Sequence, residues 1–185
     1  MNDDGIPRLN LEQMDPRLRK LLRPTVEQLG YLGELFQTVG HVPDAVLPFL
    51  EYTRAIRAPL SDRLNELLAL TVCSALGAEY ERVQHERLAK HVGFGLEWIA
   101  AAEGRSGCDA SVLSSEETTA RDLALAMIAD AGKQSGESIA QASAALGPER
   151  AMAAMLQITR FVAMAHLCNA LALKLPVQSV FDEAI

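Results

Sequence analysis

With 185 residues, 49% of them hydrophobic, the chain is long enough to bury a substantial core in one domain. Its 17 Lys and Arg stand against 24 Asp and Glu, and no basic block offsets the net charge of −7, which excludes a nucleic-acid backbone as an electrostatic partner. Cys73, Cys108 and Cys168 lack CxxC spacing, which argues against both a disulfide scaffold and a structural zinc site.

The opening Met1-Asn2-Asp3-Asp4-Gly5 is acidic where a signal peptide would be basic, so a cytoplasmic location is expected. Residues 1–14 read as an irregular arm, and 15–185 as one helical domain. Asp15-Pro16 has the form of a helix start, Asp as cap and Pro at the first helical position. Pro24, Gly30 and Gly33 then punctuate the pattern, which predicts short helices there. After Val42-Pro43, apolar Val46, Phe49 and Leu50 fall at helical spacing across 44–56.

Ser61 or Asp62 caps a helix through Leu64, Leu67, Leu68 and Val72 towards Gly77. The next helix covers about 79–91 and stops at Gly93, a typical left-handed cap. Residues 103–111 are polar and glycine-rich, and form the clearest loop. Ser114 to Glu117 is a capping box opening a helix through Asp130. A further helix ends near Gly147. Pro148 starts the last one, expected to reach Pro176.

The most apolar stretch, 161–173, is thirteen residues long and is interrupted by His166 and Asn169. That is too short to span a bilayer, so it predicts a bundle centre or a subunit interface rather than a membrane segment. No segment alternates with period two, so the expected class is all-α.

Helical geometry singles out one region. Residues seven apart lie about 20° from alignment, so Glu66 and Cys73 share one helix face, and Ala78, Glu81 and His85 share a face of the next. Gly77-Ala78 supplies a bend by which the two faces meet. One imidazole and two carboxylates then gather, a set suited to moving a proton near neutral pH.

The same residues carry a resemblance. Alkyl hydroperoxidase D and its relatives have Glu, eleven residues, Cys, two residues, Cys, three residues, His. Setting Glu66 first and His85 last leaves no gap, and the two cysteine positions hold Ala78 and Glu81. The run GAEYERVQH (77–85), with LGELFQTVGHVPDAVLPFLEY (32–52) and LCNALAL (167–173), resembles cysteine-free members of the carboxymuconolactone decarboxylase family. The resemblance spans about residues 30–175. It implies a hydroperoxidase D-like helical bundle of six to nine helices that assembles as a homo-oligomer; the four histidines form no HxxxH pair, so no metal is expected, and no cofactor either.

In the hydroperoxidases the cysteine pair performs thiol–disulfide chemistry while Glu and His relay protons. Ala78 offers no nucleophile and Glu81 cannot cycle through a disulfide, so a dithiol peroxidase is not expected. The decarboxylase branch lacks the pair and keeps Glu and His at the spacing of Glu81 and His85. The resemblance therefore implies an acid/base, decarboxylase-like lyase acting on a small carboxylic acid or lactone. A hydroperoxidase using Cys73 or an external thiol, and a non-catalytic oligomeric binding protein, are the alternatives.

The candidate catalytic residues are thus His85, Glu66 and Glu81, with Tyr80, Cys73 and Asn169 as candidate substrate contacts. Each has an ordinary structural reading beside the functional one. Glu66 would pair with Arg63 one turn earlier on the helix surface. His85 would be satisfied by Glu81. Glu81-Arg82 and Glu86-Arg87 would be solvated charges. Tyr80 would be packing with a wet hydroxyl, and Cys73 a buried inert thiol. His91 would cap its helix, His41 would lie in a loop, and His166 with Asn169 would need polar partners inside an apolar stretch.

Overall fold

The computed structural model describes residues 4–182, so Met1–Asp3 lie outside the described residues. Among the described residues there are nine α-helices and no strand, which confirms the all-α expectation. Helices α1 (Pro16–Leu29), α2 (Glu34–Val39) and α3 (Pro43–Arg57) form an N-terminal layer. Asp15 caps α1 by accepting from the Arg17 amide. The expected arm contains one 3-10 turn, Leu11–Gln13, closed by an Asn10/Gln13 capping box.

Gly30 ends α1 and Gly33 precedes α2, as expected of short helices, but Pro24 does not divide α1; it lies inside a helix of 14 residues. Proline removes its own N–H bond and crowds the carbonyl four residues back. Pro24 is exposed, where water can take over that carbonyl. The inner face of α1 is held meanwhile by Leu18 and Leu22, which are buried with Met14 and Val46 in a small cluster of their own.

Helix α4 (Asp62–Ala75) is the centre of the main core. Ser61 caps it by accepting from the Leu64 amide, and every residue from Leu64 to Cys73 is buried. A helix buried all round needs neighbours on every side: α5 (Glu79–Val92), α6 (Leu96–Glu103), α7 (Ser115–Ile128) and α9 (Pro148–Ala170) all pack on it. Its few polar groups are matched. Thr71 and Ser74 donate their hydroxyls to the Ala102 and Glu103 carbonyls at the end of α6, at 2.9 Å each.

The turn from α4 into α5 depends on Gly77, whose φ of +59° is the left-handed conformation that side-chain-bearing residues avoid. The Ala78 amide closes the turn onto the Cys73 carbonyl at 2.8 Å. Helix α5 ends at left-handed Gly93, and α7 opens with the Ser114/Glu117 capping box, both as the sequence predicts. Helix α7 stops at Ile128, before a 3-10 turn at Ala129–Gly132, and α8 (Gly136–Leu146) follows.

Helix α9 runs for 23 residues, longer than its most apolar segment, and by length and composition alone it would suit a membrane. Its inner face is nevertheless buried, with Ile158, Phe161 and Ala165 in the main core beside α4. It ends at Ala170, six residues before the expected Pro176. The chain leaves the helix through a left-handed Ala172, and the Lys174 amide then donates to Glu34 Oε2 at 2.6 Å. That tertiary bond draws the segment towards α2, a reason invisible in local sequence.

Candidate active site

The bend at Gly77 sets α5 against α4 so that the predicted faces meet. Glu66, 2% exposed, places Oε2 at 2.6 Å from His85 Nδ1. A carboxylate oxygen accepts, so Nδ1 is the donor in this contact and Nε2 is the ring nitrogen turned away from Glu66. Glu81 Oε2 lies 3.8 Å from that Nε2. The predicted trio of Glu66, Glu81 and His85 is therefore brought together, with both carboxylates buried and His85 half-buried.

Neighbours from other helices hold the imidazole. Phe161 of α9 meets the His85 ring edge-on, with centroids 5.0 Å apart. On the Phe161 ring lies the Arg160 guanidinium, 3.8 Å from the centroid. Arg160 Nε donates to Gln157 Oε1 at 3.0 Å, and Gln157 Nε2 donates to Asn65 Oδ1 at 3.1 Å. Asn65 in turn donates to the carbonyls of Arg57, Leu60 and Ser61. Arg57 Nη2 lies 3.7 Å from Glu66 Oε1. Burial draws the Arg160 pKa below its usual value, opposed chiefly by the charge of Glu81.

His85, Glu81, Tyr80, Arg57 and Arg160 all line one cavity of about 990 Å³. It lies between the N-terminal layer and the helices α5 and α9. Most of its wall is apolar, including Leu22, Val26, Phe36, Phe49 and Leu50. Tyr80 bridges the layers, its hydroxyl accepting from the Leu35 amide at 3.2 Å. Burial raises that phenol to about 12. A Cβ on Gly33 would come within 2.8 Å of the Tyr80 oxygen, so glycine is what permits the approach.

The other two candidate contacts do not line this cavity. Cys73 is fully buried in the core, where burial, reinforced by the charge of Glu81, pushes its thiol well above the usual value. Asn169 is exposed and donates to the Leu76 carbonyl at 3.1 Å, closing the end of α4. His166 is exposed too, whereas Cys168 is buried and donates to Glu81 Oε1 at 3.5 Å. His91, read as a helix cap, belongs to the cavity wall, and His41 bonds the Pro7 carbonyl at 2.8 Å.

The ordinary readings also change at Glu66 and Glu86. Arg63 does not pair with Glu66: it bonds Glu117 at 2.7 Å and lies over the rings of Phe94 and Trp98. Glu86 is no solvated charge. It is fully buried, paired with Arg82 and bonded by the Ser179 hydroxyl at 2.6 Å and the Val180 amide at 3.1 Å. Glu103 joins it from α6, bonded by Arg105 at 2.5 Å. Burial and the adjacent Glu86 carboxylate raise the Glu103 pKa to about 7. Arg57, Arg160 and Gln157 were not singled out in the sequence either. The GAEYERVQH run contains no residue of α3 or α9.

Residues 41–112 match the model of the carboxymuconolactone decarboxylase family. No curated protein matches the chain. Among solved structures, a cysteine-to-alanine variant of the debrominase Bmp8 in complex with 2,3,4-tribromopyrrole superposes with a TM-score of 0.78 at 20% identity, covering 93% of this chain and 91% of that one. An alkylhydroperoxidase AhpD core, an uncharacterized peroxidase-related protein from Ralstonia eutropha JMP134, gives 0.78 at 16% identity over 91% and 90%. An uncharacterized peroxidase-related protein from Silicibacter sp. TM1040 gives 0.74 at 14% identity over 94% of each chain. Identities this low speak for the fold. Residues 41–112 thus match the carboxymuconolactone decarboxylase family, the fold is that of the alkyl hydroperoxidase D-like structures, and Ala78 and Glu81 stand where the dithiol pair would be.

Proposed function

We propose that this protein is an acid/base enzyme acting on a carboxylic acid or lactone, with His85 as the proton carrier. The observation that carries the reading is the 2.6 Å contact between Glu66 Oε2 and His85 Nδ1, behind an imidazole that lines the cavity. Glu66 fixes the tautomer and stabilises the imidazolium, leaving Nε2 to exchange the proton with substrate. In a decarboxylation the C–C bond electrons remain on the substrate as an enolate when CO2 departs. The imidazolium Nε2–H then protonates that carbon, and solvent restores the proton to His85. Glu81, beside Nε2, is the second carboxylate available to hold or pass that proton.

A thiol-dependent hydroperoxidase has weaker support. The thiolate is the nucleophile in such chemistry, and Cys73 is buried where the thiolate is disfavoured. A non-catalytic binding protein would need neither a buried Glu66 nor its aim at the imidazole. The free cysteines suit the reducing cytoplasm. Exposed Met152 and Leu156 on α9 suit self-association, which sedimentation velocity measures directly.

The test uses lactone acids and 3-oxo acids in D2O, following deuterium entry next to the carbonyl and CO2 release. The wild-type protein exchanges or decarboxylates at least one of them, and His85→Ala loses that activity while keeping its helical circular dichroism. Retained activity in a folded His85→Ala protein removes His85 from the mechanism. Peroxide consumption with a dithiol reductant, abolished by Cys73→Ala, would replace the proposal by the hydroperoxidase reading.

A further inference from the structure

The cavity in front of His85 is far larger than a proton relay requires. Its volume of about 990 Å³ stands at the top of the range that encloses drug-sized ligands. The lining is also divided by chemistry. Helices α1 and α2 contribute no charged side chain, and α3 contributes only Arg57, its last residue. The remaining charges come from α5 and α9.

Arg57 and Arg160 line the cavity, and Glu81 is the one carboxylate among its described lining residues. Glu66 stands behind His85 and is not part of the wall. An apolar enclosure with a cationic end attracts ligands of opposite sign and disfavours cations.

Arg160 is the more specific of the two. Its plane is fixed on Phe161, and its Nε is committed to Gln157, which Asn65 anchors from α4. Both Nη atoms are left without a protein partner among the described residues. A half-buried guanidinium keeps its charge, so two unfilled donors beside an apolar wall call for an acceptor. The adjacent Glu81 limits how much negative charge that acceptor can carry.

We propose that the cavity takes an amphipathic monoanion. A carboxylate head accepts from the Nη atoms of Arg160, with Arg57 alongside, and a chain or ring system lies against the apolar faces of α1, α2 and α3. This narrows the acid/base reading to acids with a bulky apolar body, and it rests on that reading in placing the head group beside His85. A dianion such as a phosphate monoester fits less well, because Glu81 would face its second charge.

Equilibrium dialysis with decanoate, decan-1-ol and butanoate tests head and tail separately, below the micellar concentration. Decanoate binds at one per chain. Butanoate, lacking the apolar body, and decan-1-ol, lacking the charge, each bind at least about tenfold more weakly. Arg160→Gln weakens decanoate about tenfold and leaves decan-1-ol within about twofold, which also shows that the variant is folded; Arg160→Lys recovers part of the loss. The proposal is overturned if decanoate does not bind, if decanoate and decan-1-ol bind equally, or if Arg160→Gln binds decanoate as the wild type does. The three wild-type measurements decide the matter even if the variant fails to fold. A wild-type protein that binds decanoate but neither exchanges nor decarboxylates any acid fails the proton relay and keeps this assignment, so the two failures are distinguishable.

Discussion

Replacing Glu66 by Gln keeps the side chain's size and one acceptor while removing its charge. In the wild type the carboxylate sits 2.6 Å from Nδ1 and is 2% exposed, so water does little to screen it. Converting a charge-assisted hydrogen bond to a neutral one forfeits about 1–2 kcal/mol. Losing the counter-charge of the imidazolium adds up to about 4 kcal/mol at an effective dielectric near 20. A transition-state loss of about 3 kcal/mol corresponds to roughly a hundredfold drop in kcat. KM stays nearly constant, because Glu66 does not line the cavity. The fold tolerates the change, since Arg57, the other partner, is 39% exposed at its side chain and can turn to solvent. The assay is deuterium exchange on whichever acid proves active, with thermal unfolding measured in parallel. A folded Glu66→Gln protein with wild-type kcat would show that the carboxylate does not support His85, and the relay would have to be abandoned.

Other expectations concern the rest of the molecule. A thiol reagent added to the native protein at pH 8 modifies half-buried Cys108 first, while buried Cys73 and Cys168 react only after unfolding; equally fast labelling of Cys73 would restore it as a nucleophile. Glu103 makes stability fall as pH rises: its pKa is raised from the ordinary 4.5 to about 7 in the fold, so between those values the unfolded chain gives up its proton first. The loss is on the order of 3 kcal/mol, and denaturant melts of Glu103→Gln should lack it; an unchanged pH profile refutes the assignment. Gly77→Ala meets no atom within 4 Å but must hold φ at +59°, a cost of about 1 kcal/mol measurable as a lowered Tm; an unchanged Tm would show that the turn relaxes.

The relation of sequence to structure differs from one residue to the next. The Glu66/His85 contact was legible because each residue's face follows from helical period, and Gly77 marked the bend between the two helices. The same reasoning gave Glu66 the wrong second partner. It took the nearest arginine on the same helix, whereas Arg63 turns to Glu117 and the Phe94 and Trp98 rings, and Arg57 comes from α3. Asn169 looked like a pocket residue because it interrupts an apolar stretch, but it finds its acceptor at the end of α4.

What the sequence determined by itself is local: the helix caps at Asp15, Ser61 and Ser114, the left-handed glycines, and the common face of Ala78, Glu81 and His85. These follow from hydrogen bonds and dihedral angles spanning a few residues, so a short window of sequence contains their causes. Tertiary structure alone decided the rest. It placed Arg57 of α3 and Arg160 of α9 on the cavity of His85, buried Glu86 beside Glu103, and ended α9 at Ala170. Each of those outcomes depends on which helices pack together. Burial then sets the worth of a charge, and no window along the chain contains that information.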